Sequence, residues 1–171
     1  GTVARCFHQI EAYPGASLFL PSGRVHAIGA GNVIFEIQQN SDTTYRVFDW
    51  NRVGLDGKPR ELHVEQSLAS IDFNDFEPAL SPETFSDAGT SQVRVLADDP
   101  LFHVEVRRME AGGRVDLPAG TMTIVAQVRG RARLDSDTGA VALAPGGFCL
   151  VPACVTGARV EVLESCETLL A

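Results

Sequence analysis

The sequence has no basic excess: 14 Lys and Arg stand against 22 Asp and Glu, a formal net charge of −8. Non-specific nucleic-acid binding needs a basic surface, so that class is excluded. An anionic substrate would have to be held by local arginines. No apolar run approaches the roughly 18 residues that a membrane helix needs, and no basic-then-apolar leader is present. The expectation is a soluble cytoplasmic protein with no membrane and no nucleic-acid partner. The four cysteines, Cys6, Cys149, Cys154 and Cys166, form no CxxC pair and show no regular spacing. They read as reduced thiols rather than as a disulfide framework. P-loops and dinucleotide fingerprints are also missing, and no glycine elbow surrounds a Ser or Cys.

What the chain does have is punctuation. Its 171 residues include 16 Gly and 9 Pro, which divide it into many short apolar segments. That pattern predicts a mainly β protein. Residues 3–10 place Val3, Phe7 and Ile10 on one helical face and read as the end of a helix. Strands are predicted over 16–20, 24–28, 33–39 and 44–50. In the third of these Val33, Phe35 and Ile37 alternate with Ile34, Glu36 and Gln38, so one face carries polar groups. A helix is predicted at about 60–71, with Leu62, Leu68 and Ile71 as core contacts. Residues 73–92 are rich in Asp, Ser, Pro and Gly and read as a linker. The rest, 93–171, reads as seven or eight short strands: 93–97, 102–109, 121–128, 131–134, 141–143, 148–151, 158–163 and 166–170. Strands at that spacing suggest a sandwich, jelly roll or barrel. The predicted domains are therefore 1–72 and 93–171, joined by the linker.

One stretch stands out. Gly15, five residues, Pro21, one residue, Gly23, two residues, His26 pins an imidazole to a Pro/Gly corner. His26 is a candidate metal ligand, or else a histidine hydrogen-bonded at a barrel rim. Glu36 follows on the next strand, where a carboxylate can orient a ligand, move a proton or bind hydroxyls, or simply lie on a solvated face. Arg46 offers a planar donor fork for a phosphate or a developing oxyanion, or pairs at the surface with Asp42 or Asp49. Arg24, Arg52, Lys58 and Arg60 add positive charge to this half. His8 and His103 have no partners at metal-ligand spacing, and His63 falls inside the predicted helix. The corner also has an echo: Gly146, five residues, Pro152, then Cys154 and Gly157 where Gly23 and His26 stand.

The corner motif resembles the second conserved motif of the cupin superfamily. The longer run from His26 through Glu36-Ile37-Gln38-Gln39-Asn40-Ser41-Asp42, Tyr45-Arg46-Val47-Phe48-Asp49 and Gly57-Lys58-Pro59-Arg60-Glu61-Leu62-His63 is similar to the C-terminal half of type I mannose-6-phosphate isomerases, in their short bacterial form. The resemblance covers essentially the whole chain. It implies a cupin fold, a double-stranded β-helix or jelly roll, with residues 1–72 as part of the metal-site barrel and 93–171 as a complete, metal-free second barrel. It implies a zinc cofactor with His26 as the one mapped ligand, Arg46 as a catalytic and substrate-binding arginine, and Glu36 as a substrate-binding residue. The implied reaction interconverts mannose 6-phosphate and fructose 6-phosphate by proton transfer through an enediol, so the implied partner is a hexose 6-phosphate. Ile28 stands where longer relatives carry a tyrosine. The first cupin motif, with its glutamate and histidine ligands, is missing here. The chain is therefore expected to be the C-terminal part of a longer enzyme, with little activity alone. The competing expectation is a non-enzymatic cupin module that binds sugars or regulates a partner.

Overall fold

The computed structural model describes residues 2–171. The chain divides into two compact units, Gly1–Leu80 and Ser81–Ala171.

The second unit is an eight-stranded antiparallel sheet. Its strands are β1 (Ser86–Ala88), β2 (Ser91–Asp99), β3 (Phe102–Met109), β4 (Arg114–Asp116), β5 (Thr123–Ser136), β6 (Gly139–Leu143), β7 (Phe148–Val151) and β8 (Arg159–Leu170). The order is β1-β2-β3-β8-β5-β6, with β4 on β8 and β7 on β5. The two long strands carry the unit. Val160 and Val162 on β8 and Val125, Ala132 and Leu134 on β5 point into one core with Met109, Leu143, Val151, Ala158, Cys166 and Leu170. That alternation buries one face and leaves Glu161, Arg133 and Asp135 on the other, where Arg133 bonds both acids at 2.8 Å. One polar pair is fully buried: the Thr168 hydroxyl donates to Gln127 Oε1 at 3.0 Å, and Gln127 Nε2 donates to the Arg129 carbonyl at 2.6 Å. These bonds satisfy groups that would otherwise destabilise the core.

Sequence reading split both long strands in two, and the reason is local. Arg129-Gly130 reads as a turn, but the β5–β8 ladder runs through it with register shifts between Gln127 and Ala132. It is a bulge, with Gly130 at φ 68°. A Cβ there would lie 2.2 Å from the Ser165 carbonyl oxygen, so only glycine fits. The short β4 carries no sequence signal and was not predicted. The stretch 73–92, read as a linker, holds β1 and the start of β2.

The first unit differs from expectation more deeply. None of the predicted strands 16–20, 24–28, 33–39 and 44–50 forms a ladder; the described residues 2–80 contain only an isolated bridge, Val53 to Pro59. A strand is defined by its partner, and these segments find none in this unit. The predicted helical segment at 3–10 contracts to a 3-10 turn, Val3–Cys6, and the helix at 60–71 to α1, Val64–Ser70. Leu62 and Leu68 lie exposed rather than in a core, and Ser67 is the buried residue of α1. What ties the unit together is polar. Arg24 bonds Asp75 through Nε (2.6 Å) and Nη2 (2.8 Å) and the Phe19 carbonyl through Nη1 (2.6 Å). The Asp72 amide donates to the Gly23 carbonyl at 3.0 Å. No helix among the described residues is long and apolar enough to cross a membrane.

Candidate functional site

The first unit carries the candidate residues, and a clamp joins two of its segments. The His63 amide donates to the Arg46 carbonyl at 2.8 Å. In return the Arg46 amide donates to His63 Nδ1 at 3.2 Å. That bond requires the neutral tautomer of His63, with its hydrogen on Nε2. Three residues further along each segment, Asp49 is buried and receives both Arg52 and Arg60: Arg52 Nη2 at 2.8 Å, Arg60 Nε at 2.6 Å on the other oxygen, and a still closer Arg60 Nη2. The Arg60 hydrogen bonds, against the opposing effect of burial and with help from Arg52, hold the Asp49 carboxyl down at about 2. Segments 46–49 and 60–63 are thus locked side by side at both ends.

The clamp positions Arg46. Its guanidinium is half-buried and gives Nη1 to the Glu61 carbonyl at 3.3 Å. The remaining donors of the fork are available to an anionic oxygen. Neither Asp42 nor Asp49 pairs with it; Asp49 is taken by the other two arginines. Tyr45 packs near the His63 ring, with centroids 6.2 Å apart, and Trp50 lies 4.9 Å from Phe48.

His26 and Glu36 lie outside the clamp. His26 is exposed, with Nδ1 3.1 Å from the Arg24 carbonyl oxygen, and Glu36 is exposed on its segment. No hydrogen bond or ion pair among the described residues joins His26, Glu36 and Arg46. Nor do the described residues contain any group of three or more His, Cys, Asp or Glu that could hold a metal ion. A zinc site needs three or four protein ligands. The described residues bring no such set together.

Sequence reading offered Asp49 as a partner of Arg46, took Arg52 and Arg60 only as added positive charge, and placed His63 inside a helix. The spacing of Asp49 to Arg52, three residues apart in a turn, was the one available signal. The link from Asp49 to Arg60 depends on the intervening loop, where Gly54 donates to the Lys58 carbonyl at 2.7 Å. His103, read as partnerless, sits between Asp98 (3.1 Å) and Glu105 (3.5 Å) in the second unit, and the hydrogen bond to Asp98 foremost raises its pKa.

No family model matches the chain. The mannose-6-phosphate isomerase of Streptococcus mutans is 31% identical over 144 residues, covering 84% of this chain and 45% of that protein. ManA of Bacillus subtilis, also a mannose-6-phosphate isomerase, is 48% identical over 64 residues, 37% of this chain and 20% of that one. The chain's curated homologues are mannose-6-phosphate isomerases, matched over their C-terminal portion. It spans less than half the length of these relatives. Among solved structures, a mannose 6-phosphate isomerase from Bacillus subtilis matches with a TM-score of 0.61 at 20% identity, covering 77% of this chain and 40% of that one. This likeness shows the fold, mainly β with few helices.

Proposed function

We propose that this chain is the C-terminal portion of a mannose-6-phosphate isomerase, a soluble cytoplasmic enzyme, and that Arg46 is its contribution to the reacting sugar phosphate. The observation that carries this reading is the clamp. A relative 48% identical over 64 residues is an isomerase, and two hydrogen bonds with His63 hold the Arg46 backbone beside a buried ion-pair cluster, leaving its guanidinium donors to spare. A guanidinium with uncommitted donors suits an enediolate or a phosphate, which needs donors placed before charge develops. The isomerisation moves a proton between C1 and C2 of the hexose phosphate, and negative charge accumulates on the oxygens in between. Arg46 binds and stabilises that charge. Glu36 is assigned to the substrate hydroxyls.

Zinc is proposed as the cofactor of the whole enzyme, with His26 as one ligand and the others supplied from outside this chain. Bound zinc polarises the carbonyl of an aldose or ketose. The described residues bring no zinc-ligand set together, and the 171 residues alone are expected to show little or no turnover.

The test uses the full-length isomerase. His26→Ala is expected to lower bound zinc by at least about tenfold, in line with the loss of a ligand contact. Arg46→Ala is expected to cut kcat by about a hundredfold or more, with zinc content unchanged. Equal loss of zinc in both variants contradicts the separation of roles, and sugar-phosphate turnover by the isolated 171-residue chain contradicts the division of the site.

A further inference from the structure

Residues 61–63 hold Arg46 through its amide, its carbonyl and its guanidinium. The His63 amide donates to the Arg46 carbonyl at 2.8 Å, Arg46 Nη1 donates to the Glu61 carbonyl at 3.3 Å, and the Arg46 amide donates to His63 Nδ1 at 3.2 Å. The first two contacts use only the backbone of 61–63, which any side chain leaves in place. The third depends on which residue stands at 63.

Its cause is local. Facing residues of an antiparallel pair ordinarily exchange both bonds through backbone atoms. Here the His63 carbonyl is already committed: it accepts from the Ser67 amide at 2.8 Å, the first bond of α1. His63 is the N-cap of that helix, at φ −114° and ψ 59°, and its side chain makes no capping bond. The carbonyl has turned into the helix, so the imidazole stands in for it as the acceptor of the Arg46 N–H. A side chain with no acceptor at that place leaves a part-buried donor unpaired. The surroundings of the ring fit this role. The His63 side chain is 25% exposed, and its Nε2 faces the Glu61 carboxylate at 4.0 Å. That carboxylate favours the hydrogen on Nε2, which leaves Nδ1 free to accept.

We infer that His63 is a positioning residue for Arg46: its neutral imidazole replaces a backbone acceptor and fixes the point from which the guanidinium extends. The inference rests on the proposed role of Arg46 and deepens it. His63 acts through Arg46, so its contribution to turnover vanishes when the guanidinium is gone. A general role in holding the fold would persist without Arg46, and a double-mutant cycle separates the two.

The test uses the full-length isomerase with mannose 6-phosphate as substrate. His63→Leu is expected to lower kcat by about tenfold, the factor that one lost hydrogen bond represents. His63→Asn, whose amide oxygen stands near the place of Nδ1, is expected to keep most of the rate. Added to Arg46→Ala, His63→Leu is expected to lower kcat by less than about twofold. Two readouts need no activity. Nitrogen NMR of the His63 ring is expected to show a hydrogen on Nε2 and a bare, hydrogen-bonded Nδ1. The Arg46 amide hydrogen is expected to exchange at least about tenfold faster in His63→Leu than in the parent. A hydrogen on Nδ1, or an Arg46 amide that exchanges equally slowly in both proteins, overturns the inference whatever the kinetics. So does a loss from His63→Leu that persists in full beside Arg46→Ala, and so does a His63→Asn enzyme as slow as His63→Leu. A normal kcat in Arg46→Ala contradicts the role of Arg46 itself and leaves His63 no catalytic group to position. That failure is told apart from the others because it appears with His63 intact.

Discussion

The β7 segment and residues 16–20 lie between the same two kinds of turn, yet only one of them is a strand. Both follow a Pro-Gly turn and end at a proline corner. Phe148–Val151 pairs with β5 residue for residue, whereas Ser17–Leu20 has no ladder. The lesson is that local sequence specifies turns, while a strand is a property of two segments. The first unit compensates with charge: Arg24 on Asp75, and Arg52 with Arg60 on Asp49. The second relies on a dry core in which Val125, Ala132 and Val160 are fully buried.

The largest expected effect breaks the second unit. Gly130→Val puts a branched side chain where even a Cβ meets the Ser165 carbonyl at 2.2 Å, in a left-handed conformation. A loss of about 3 kcal/mol or more is expected, read by urea unfolding of the β-sheet circular dichroism signal. A normal midpoint would mean that the bulge does not constrain the β5–β8 ladder.

Next comes the buried polar pair. Thr168→Val leaves Gln127 Oε1 without the hydroxyl that donates to it, at a cost of about 2 kcal/mol. Adding Gln127→Leu should restore part of that stability, since two apolar groups leave no acceptor unpaired. A double variant as unstable as the sum of the singles would show that the pair acts through packing alone.

The smallest effect sharpens the first unit. Asp49 has its carboxyl depressed to about 2, below the ordinary range near 4. The clamp therefore contributes its full stability above about 4 and loses it as pH falls towards 2. The single tryptophan, Trp50, adjoins Asp49 and reports this region. Its fluorescence should shift across that window, and the shift should vanish in Asp49→Asn. A pH dependence retained by the variant would place the titration elsewhere.

These contrasts also explain what could be read from the chain. The edges of β3 and β7 were legible because alternation and flanking turns agree with the ladder. The bulge at Gly130 was not, since a glycine after an arginine looks the same in a turn and in a bulge. His26, Glu36 and Arg46 stand out by residue type and motif, and the structure does not bring them together. The clamp that holds Arg46 was not, because the Asp49–Arg60 and Arg46–His63 contacts join segments across a loop whose path no pattern reveals. The ladder over 33–39 was expected from alternation and is missing for want of a neighbour, which no reading of the segment alone can supply.

The most direct measurement is amide exchange within the 171-residue chain itself, comparing residues 33–39 with Phe148–Val151. The account predicts that the first exchanges within about tenfold of an unstructured peptide, and the second at least about a thousandfold more slowly. Equal protection of the two segments would contradict it, because a segment without a ladder would then be held as firmly as one paired to β5.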